Sequence, residues 1–292
     1  MGFASFIYKN YYLSEFIKKI AIMFRLYYPY NLYFMREMRK QSDGEVMLNA
    51  RHYYSSNRKR IDDICGWLSD EKSIDTYKKL IAMRQYYRAE DIPSYNYFDQ
   101  YFPKDLPEFS SNWNGGEVII DCGAFNGDTS EKIARKVKNY GKIYAFEPDN
   151  NNIAYMKKRC KKINNLEIIS AACSDRDGVL AFVELDSSGG SHIDNEKNED
   201  ANEVECKCID TVIGDGRCDF IKMDIEGAEW DALHGAKNTI IRNRPRLAIS
   251  IYHSDEDMIR LIEYIHELIP EYKLYVRAHT MGIAESILYA YV

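Results

Sequence analysis

Two groups of residues in this sequence have the types and spacing to do chemistry. In the first, the apolar run Val118-Ile119-Ile120 ends on an acid and a glycine-punctuated turn, Asp121-Cys122-Gly123-Ala124-Phe125-Asn126-Gly127-Asp128. Such a turn lets backbone approach a small ligand. Its D-x-G-x-x-x-G spacing differs from the G-x-G-x-x-G that seats a dinucleotide pyrophosphate on a helix N-terminus. Asp121 and Asp128 would repel a pyrophosphate and welcome a cation, which counts against a nicotinamide dehydrogenase. In the second group Asp224 and Glu226 lie in IKMDIEG and His253 ends SIYH.

A further acid, Glu147, closes the next apolar run, where a carboxylate takes both hydroxyls of a ribose. A nucleoside with an ammonium and no phosphates suits both acids, and S-adenosylmethionine has that chemistry. Methyl transfer to a hydroxyl needs alignment and a group to take the departing proton. His253 is the expected base, because a neutral imidazole accepts a proton near pH 7 with little retuning. Asp224 is expected to orient the acceptor, with Glu226 beside it. Structural roles compete: His253 and Asp224 as helix caps, Lys222 as a buried ion-pair member, Glu229 on a helix surface, and His279 in RAHT as a second-choice base. Asp224 and Glu226 also suit magnesium, yet two carboxylates are too few for a dedicated cage, so no metal ligands are assigned.

The elements that must position these groups follow a βαβ rhythm. EVIIDCGA, KIYAFEPD, LEIISAACS, DFIKMDIEG and RLAISIYH read as short strands, with helices near 128–138, 152–162, 228–241 and 255–268. YKLYVRAHT and SILYAYV close the series as an antiparallel pair, and DGVLAFVEL with EVECKCI forms a polar hairpin region. That alternation predicts an α/β, mostly parallel, doubly wound sheet over residues 111–292, with ligands beyond the carboxyl ends of its strands. Residues 1–110 predict a helical, Tyr-rich region ending at the Pro93, Pro103 and Pro107 breaks. Fifteen of the 24 tyrosines fall there, and packing, homodimer or acceptor contacts are the expected uses. An amphipathic helix over Leu13–Met38 also suits weak peripheral contact with an anionic membrane.

The motifs VIIDCGAFNGD, YAFEPDNNN, AACSDRDG, DFIKMDIEGAEW and RLAISIYH, in that order, resemble the FkbM family of class I methyltransferases over about residues 112–292. The resemblance implies a Rossmann-like seven-stranded fold, S-adenosylmethionine as donor, and O-methylation of a sugar hydroxyl, as in building surface polysaccharide precursors. By position it places Asp121, Gly123 and Gly127 at the methionine end, together with the rest of the turn, Ala124, Phe125, Asp128 and Thr129. It places Glu147, followed by Pro148, at the ribose, and Ser174 and Asp175 at the adenine edge.

Composition narrows the partners. Residues 1–110 hold 17 basic and 14 acidic residues and residues 111–292 hold 22 and 31, so neither part has the basic stripe that binds nucleic acid. Seven cysteines suit reduced thiols in the cytoplasm, and the spacing of Cys206, Cys208 and Cys218 is not that of a zinc site. Charges interrupt every apolar run near the start, which predicts no transmembrane segment. The acidic stretch DSSGGSHIDNEKNEDANEVE is a candidate lid, with Gly189–His192 nearest the acceptor. The rival functions are methylation of a non-sugar small molecule or an amine, and a non-catalytic nucleoside-binding module; the latter has no reason to assemble Asp224, Glu226 and His253.

Overall fold

Short runs rich in Val, Ile and Phe form the strands, since branched and aromatic side chains suit a pleated surface covered on both faces. The computed structural model describes residues 45–86, 88–183, 192–193 and 202–292. Strands β1 (Val118–Cys122), β2 (Lys142–Phe146), β3 (Leu166–Ile169), β8 (Phe220–Met223), β9 (Arg246–Ser250), β10 (Lys273–Ala278) and β11 (Ser286–Tyr291) form one sheet, in the order β10-β11-β9-β8-β1-β2-β3. All neighbours are parallel except β11, which runs antiparallel to both β10 and β9. The order reverses between β1 and β2 on one side and β8 on the other, so the cleft of a doubly wound sheet lies at their carboxyl ends. The fold is the expected α/β, seven-stranded and mostly parallel.

Beside this sheet, β4 (Ala172–Cys173), β5 (Gly178–Val183), β6 (His192–Ile193) and β7 (Asn202–Lys207) form a second one, in which β5 and β7 make the expected antiparallel pair. The proposed lid and the amphipathic segment over 13–38 lie almost wholly outside the described residues.

Helices α5 (Asp128–Lys136), α6 (Asn150–Arg159), α7 (Ile209–Ile213), α8 (Glu229–His234), α9 (Lys237–Asn243) and α10 (Asp257–Leu268) connect the strands. The single helix expected over 228–241 is two, α8 and α9. The break has a local cause: a Cβ on Gly235 would lie 1.9 Å from the Ser174 carbonyl oxygen, and the Gly235 carbonyl accepts a bond from Asp210 N. The chain turns there to pack on its neighbours instead of continuing the helix.

Before the sheet come α1 (Glu45–Ser56), α2 (Arg58–Trp67), α3 (Glu71–Tyr86) and α4 (Pro107–Ser110). Tyr54, Ile64 and Leu80 share one apolar cluster with Leu261, Ile265 and Val276. Phe102, Leu106 and Phe109 share another with Phe220, Ile287 and Tyr289. Polar ties fix the contact: Arg277 donates to Asp70, Ser73 and Asp105, Tyr77 OH donates to the Met258 carbonyl, and Arg84 pairs with Asp255. The segment between α3 and α4 is thereby led across the mouth of the cleft.

Candidate functional site

The first half of the site forms where β1 gives way to α5. Gly123 has φ +74°, and a Cβ on it would sit 1.9 Å from the Asp224 carbonyl oxygen. Only a residue without a side chain lets the β1 turn lie this close to the end of β8. Asp121, expected at a ligand's methionine end, is fully buried. Its carboxylate accepts a 2.6 Å bond from Ser130 and lies 3.1 Å from Lys222 Nζ, which also donates to the carbonyls of Cys122 and Gly123. Burial works against the Lys222 ammonium, but Asp121 and Asp224 outweigh it and hold its pKa above the usual value. Asp121 therefore shapes the turn through Lys222 and has no face open to a ligand.

Ala124 is buried, Phe125 and Thr129 are half-buried, and Asp128 is exposed at the start of α5. Glu147, at the end of β2, is 5% exposed and accepts from the N–H groups of Phe125 and Asp149 and from the Asn152 amide. Burial raises its pKa despite these donors, and hydroxyl donors from a ligand would relieve that cost. Pro148 is half-buried beside it. Ser174 is buried and donates to the exposed Asp175 at 3.1 Å, next to the α8–α9 break.

The second half collects acids around one imidazole. Asp224 follows β8 and accepts from Tyr101 OH at 2.6 Å and Tyr252 OH at 3.1 Å. His253 follows β9 with its side chain 9% exposed. Its Nδ1 lies 3.1 Å from Glu229, and its Nε2 lies 3.5 Å from Asp224 and 3.6 Å from Glu226. Glu229 is not on a helix surface: it is fully buried, and its oxygens accept from Ile225 N and Gly227 N at the head of α8.

This arrangement changes the proton affinity of the expected base. Burial alone would lower the His253 pKa, but Glu229, Asp224 and Glu226 outweigh it and raise the value to about 9. The surrounding carboxylates favour the protonated ring. The Glu226 pKa is raised too, to about 7, by burial and by Asp224 and Glu229, with His253 opposing. A carboxylate with such a pKa suits proton transfer near neutral pH.

The structure adds residues that the sequence reading lacked. Tyr101 and Tyr252 hold Asp224 from two sides, and Glu285 closes the acidic group, its pKa raised by burial and by Asp224 to about 8. Gln100 donates to both Glu285 and Tyr101 OH. Four of the seven described non-glycine residues with left-handed backbone are here: Tyr101, Phe125, Glu226 and Glu285. Strain concentrated this way marks geometry that the surrounding fold imposes. His279 is scaffold rather than base: it is buried, its pKa is lowered by burial to about 4, and its ring bridges the Asn96 carbonyl and Tyr289 OH. Tyr289 OH in turn accepts from Tyr101 N at 2.9 Å.

Comparison with known proteins agrees with this geometry. The methyltransferase FkbM domain model matches residues 121–273. The chain is 25% identical over 196 residues to the 2-O-methyltransferase NoeI of Sinorhizobium fredii, covering 59% of this chain and 78% of NoeI. Methyltransferase FkbM from Methylobacillus flagellatus superposes with a TM-score of 0.69 at 25% identity, over 82% of this chain and 60% of that one, so this chain spans three-fifths of that protein's length. An rRNA methylase from Streptococcus thermophilus matches at 14% identity and a TM-score of 0.42, over 65% of this chain and 94% of that one. The matched domain begins at Asp121 in the glycine turn and runs through Glu147, the β8 acids and His253 to Lys273, and with it the chain belongs to the FkbM family of S-adenosylmethionine-dependent methyltransferases.

Proposed function

We propose that this protein transfers a methyl group to a hydroxyl of a sugar or surface-glycan precursor, and that it does so in the cytoplasm. The carrying observation is the acidic pocket of Asp224, Glu226 and His253 pressed directly against the glycine turn of β1. The likeness to a protein named a 2-O-methyltransferase supports an oxygen acceptor. Seven free thiols suit a reducing compartment, and no helix among the described residues is long and apolar enough to cross a membrane.

S-adenosylmethionine, when bound, supplies a methyl on a positively charged sulfur. Glu147 and the turn from Gly123 to Thr129, with Ser174 and Asp175 at the far edge, are the residues that suit it; the buried Glu147 carboxylate can accept ribose hydroxyls. Asp224, fixed by two tyrosine hydroxyls, orients the acceptor. Glu226 takes the acceptor's proton as the new bond forms. The His253 ring, 3.5 Å from Asp224 and 3.6 Å from Glu226, opposes the rise in the Glu226 pKa in a pocket rich in carboxylates.

The test is a panel of nucleotide sugars and glycan precursors with labelled donor, followed by identification of the methylated atom. O-methyl product is expected, with kcat reduced about 10²- to 10⁴-fold in Glu226→Gln. A methylated nitrogen would favour an amine acceptor, which so acidic a pocket also suits. Undiminished turnover in Glu226→Gln would remove Glu226 as the base.

A further inference from the structure

We propose that Arg84, on a helix outside the matched domain, is a positioning residue for the reaction: it grips both ends of the loop 252–255 and so sets where Tyr252 and His253 meet the acids of the site. Arg84 lies on α3, whereas the match begins at Asp121. The loop joins β9 to α10 and carries two residues of the site, yet no main-chain hydrogen bond among the described residues involves 252–255. The strand side ends with Ile251 N donating to the Ser286 carbonyl, and the helix side begins with Asp257 N donating to Ser254 Oγ. Side chains must hold what lies between.

Arg84 holds it at two points. Its Nη1 donates to Asp255 Oδ1 at 2.9 Å, and its Nη2 donates to the Tyr252 carbonyl. The guanidinium is planar and rigid, so two bonds from one group fix the spacing between the loop's first and last residues, which a lysine ammonium cannot do. Arg84 is 8% exposed, and bonds from a buried cation are stronger than the same bonds in water. Two tyrosines of the N-terminal helices reinforce the grip. Tyr54 OH donates to the same Asp255 oxygen at 2.9 Å, and Tyr77 OH holds the Met258 carbonyl in the first turn of α10.

The held loop sets the acceptor half of the site. Tyr252 OH reaches Asp224 at 3.1 Å, the Tyr252 and His253 rings lie 4.1 Å apart between centroids, and His253 Nδ1 lies 3.1 Å from Glu229. A displaced Tyr252 carbonyl moves its hydroxyl off Asp224 and carries the adjoining imidazole with it. Misplacement by about 1 Å at a reacting centre costs on the order of 10²-fold in rate. Arg84 makes no contact with the turn after β1 or with Glu147, so donor binding does not depend on it. The kinetic part of this inference rests on the methyl transfer proposed above; the placement of His253 does not.

The experiment compares full-length wild type with Arg84→Met, Arg84→Lys and Asp255→Asn, well below the melting temperature of each. Arg60→Met is the control, since Arg60 ties α2 to Glu263 on α10 away from the loop. Proton NMR reads the His253 ring, calorimetry reads S-adenosylhomocysteine affinity, and kinetics separate kcat from the acceptor KM. In Arg84→Met the His253 titration should fall from about 9 towards 6.5. Its kcat should drop at least about tenfold, with donor affinity and acceptor KM kept within about threefold. Arg84→Lys should lie between this variant and wild type. Should Arg84→Met fail to fold, Asp255→Asn decides, with the same direction of change expected. A His253 titration like wild type in the loop variants, an equal change in Arg60→Met, or a displaced His253 with undiminished kcat would each overturn the role. The NMR readout needs no acceptor, so failure of the proposed reaction is seen apart from failure of this one.

Discussion

At His253 the neighbours, not the residue type, set the chemistry. Against burial, Glu229 at 3.1 Å, with Asp224 and Glu226 on the other nitrogen, raises to about 9 the pKa of a side chain that normally titrates near 6.5. Replacing Glu229 by Gln removes the nearest of these charges. Proton NMR titration of the metal-free variant should show the His253 pKa falling from about 9 towards 6.5, and an unchanged value would mean that Glu229 does not set it. Asp224, Glu226 and His253 were legible in the sequence because each follows a strand in a βαβ series. Glu229 was read as surface, since a helix whose head folds back under a strand end has no signature in spacing. Tyr101 and Glu285 were invisible for another reason: they lie 123 and 61 positions from Asp224, on loops whose paths tertiary packing decides.

The turn after β1 and the segment before α4 are the elements that bring the two halves of the site together. Gly123→Ala would place a Cβ 1.9 Å from a carbonyl oxygen on a backbone with positive φ, so it should destabilise the fold by at least about 2 kcal/mol. Urea unfolding reads this directly, and a loss under about 0.5 kcal/mol would show that the turn can relax. The segment before α4 hangs on a relay from Asn96 through His279 and Tyr289 to Tyr101, aided by Lys132, which donates to the Gln100 carbonyl. Tyr289→Phe leaves Tyr101 N and a buried imidazole nitrogen without partners and should cost about 1–3 kcal/mol. Unfolding equal to wild type would show that the relay carries no load. The strands were legible because parallel strands buried on both faces read as continuous apolar runs. The α8–α9 break was not, because its cause is the approach of Ser174, which lies far off in sequence.

Across the whole molecule the acidic pocket ties stability to pH. Glu226 and Glu285 have folded pKa values raised to about 7 and about 8 from 4.5, and His253 has one raised to about 9 from 6.5. A raised folded value contributes stability that is present below the unfolded pKa and lost as pH rises through the folded one. All three shifts have the same sign, so with chelator present the Tm should fall steadily from pH 6 to pH 9, and Glu226→Gln should flatten the lower part of the slope. A Tm that rises across this range would contradict the electrostatic picture. The same pocket lies against the donor turn, and the division between the two is the central claim. Calorimetric titration with S-adenosylhomocysteine tests it most directly, using wild type, Glu147→Ala and Glu226→Gln. One site per chain is expected, weakened at least about tenfold in Glu147→Ala, a loss of about 1.4 kcal/mol or more, and kept in Glu226→Gln. Equal affinity in Glu147→Ala, or its loss in Glu226→Gln, would contradict the separation of donor and acceptor residues.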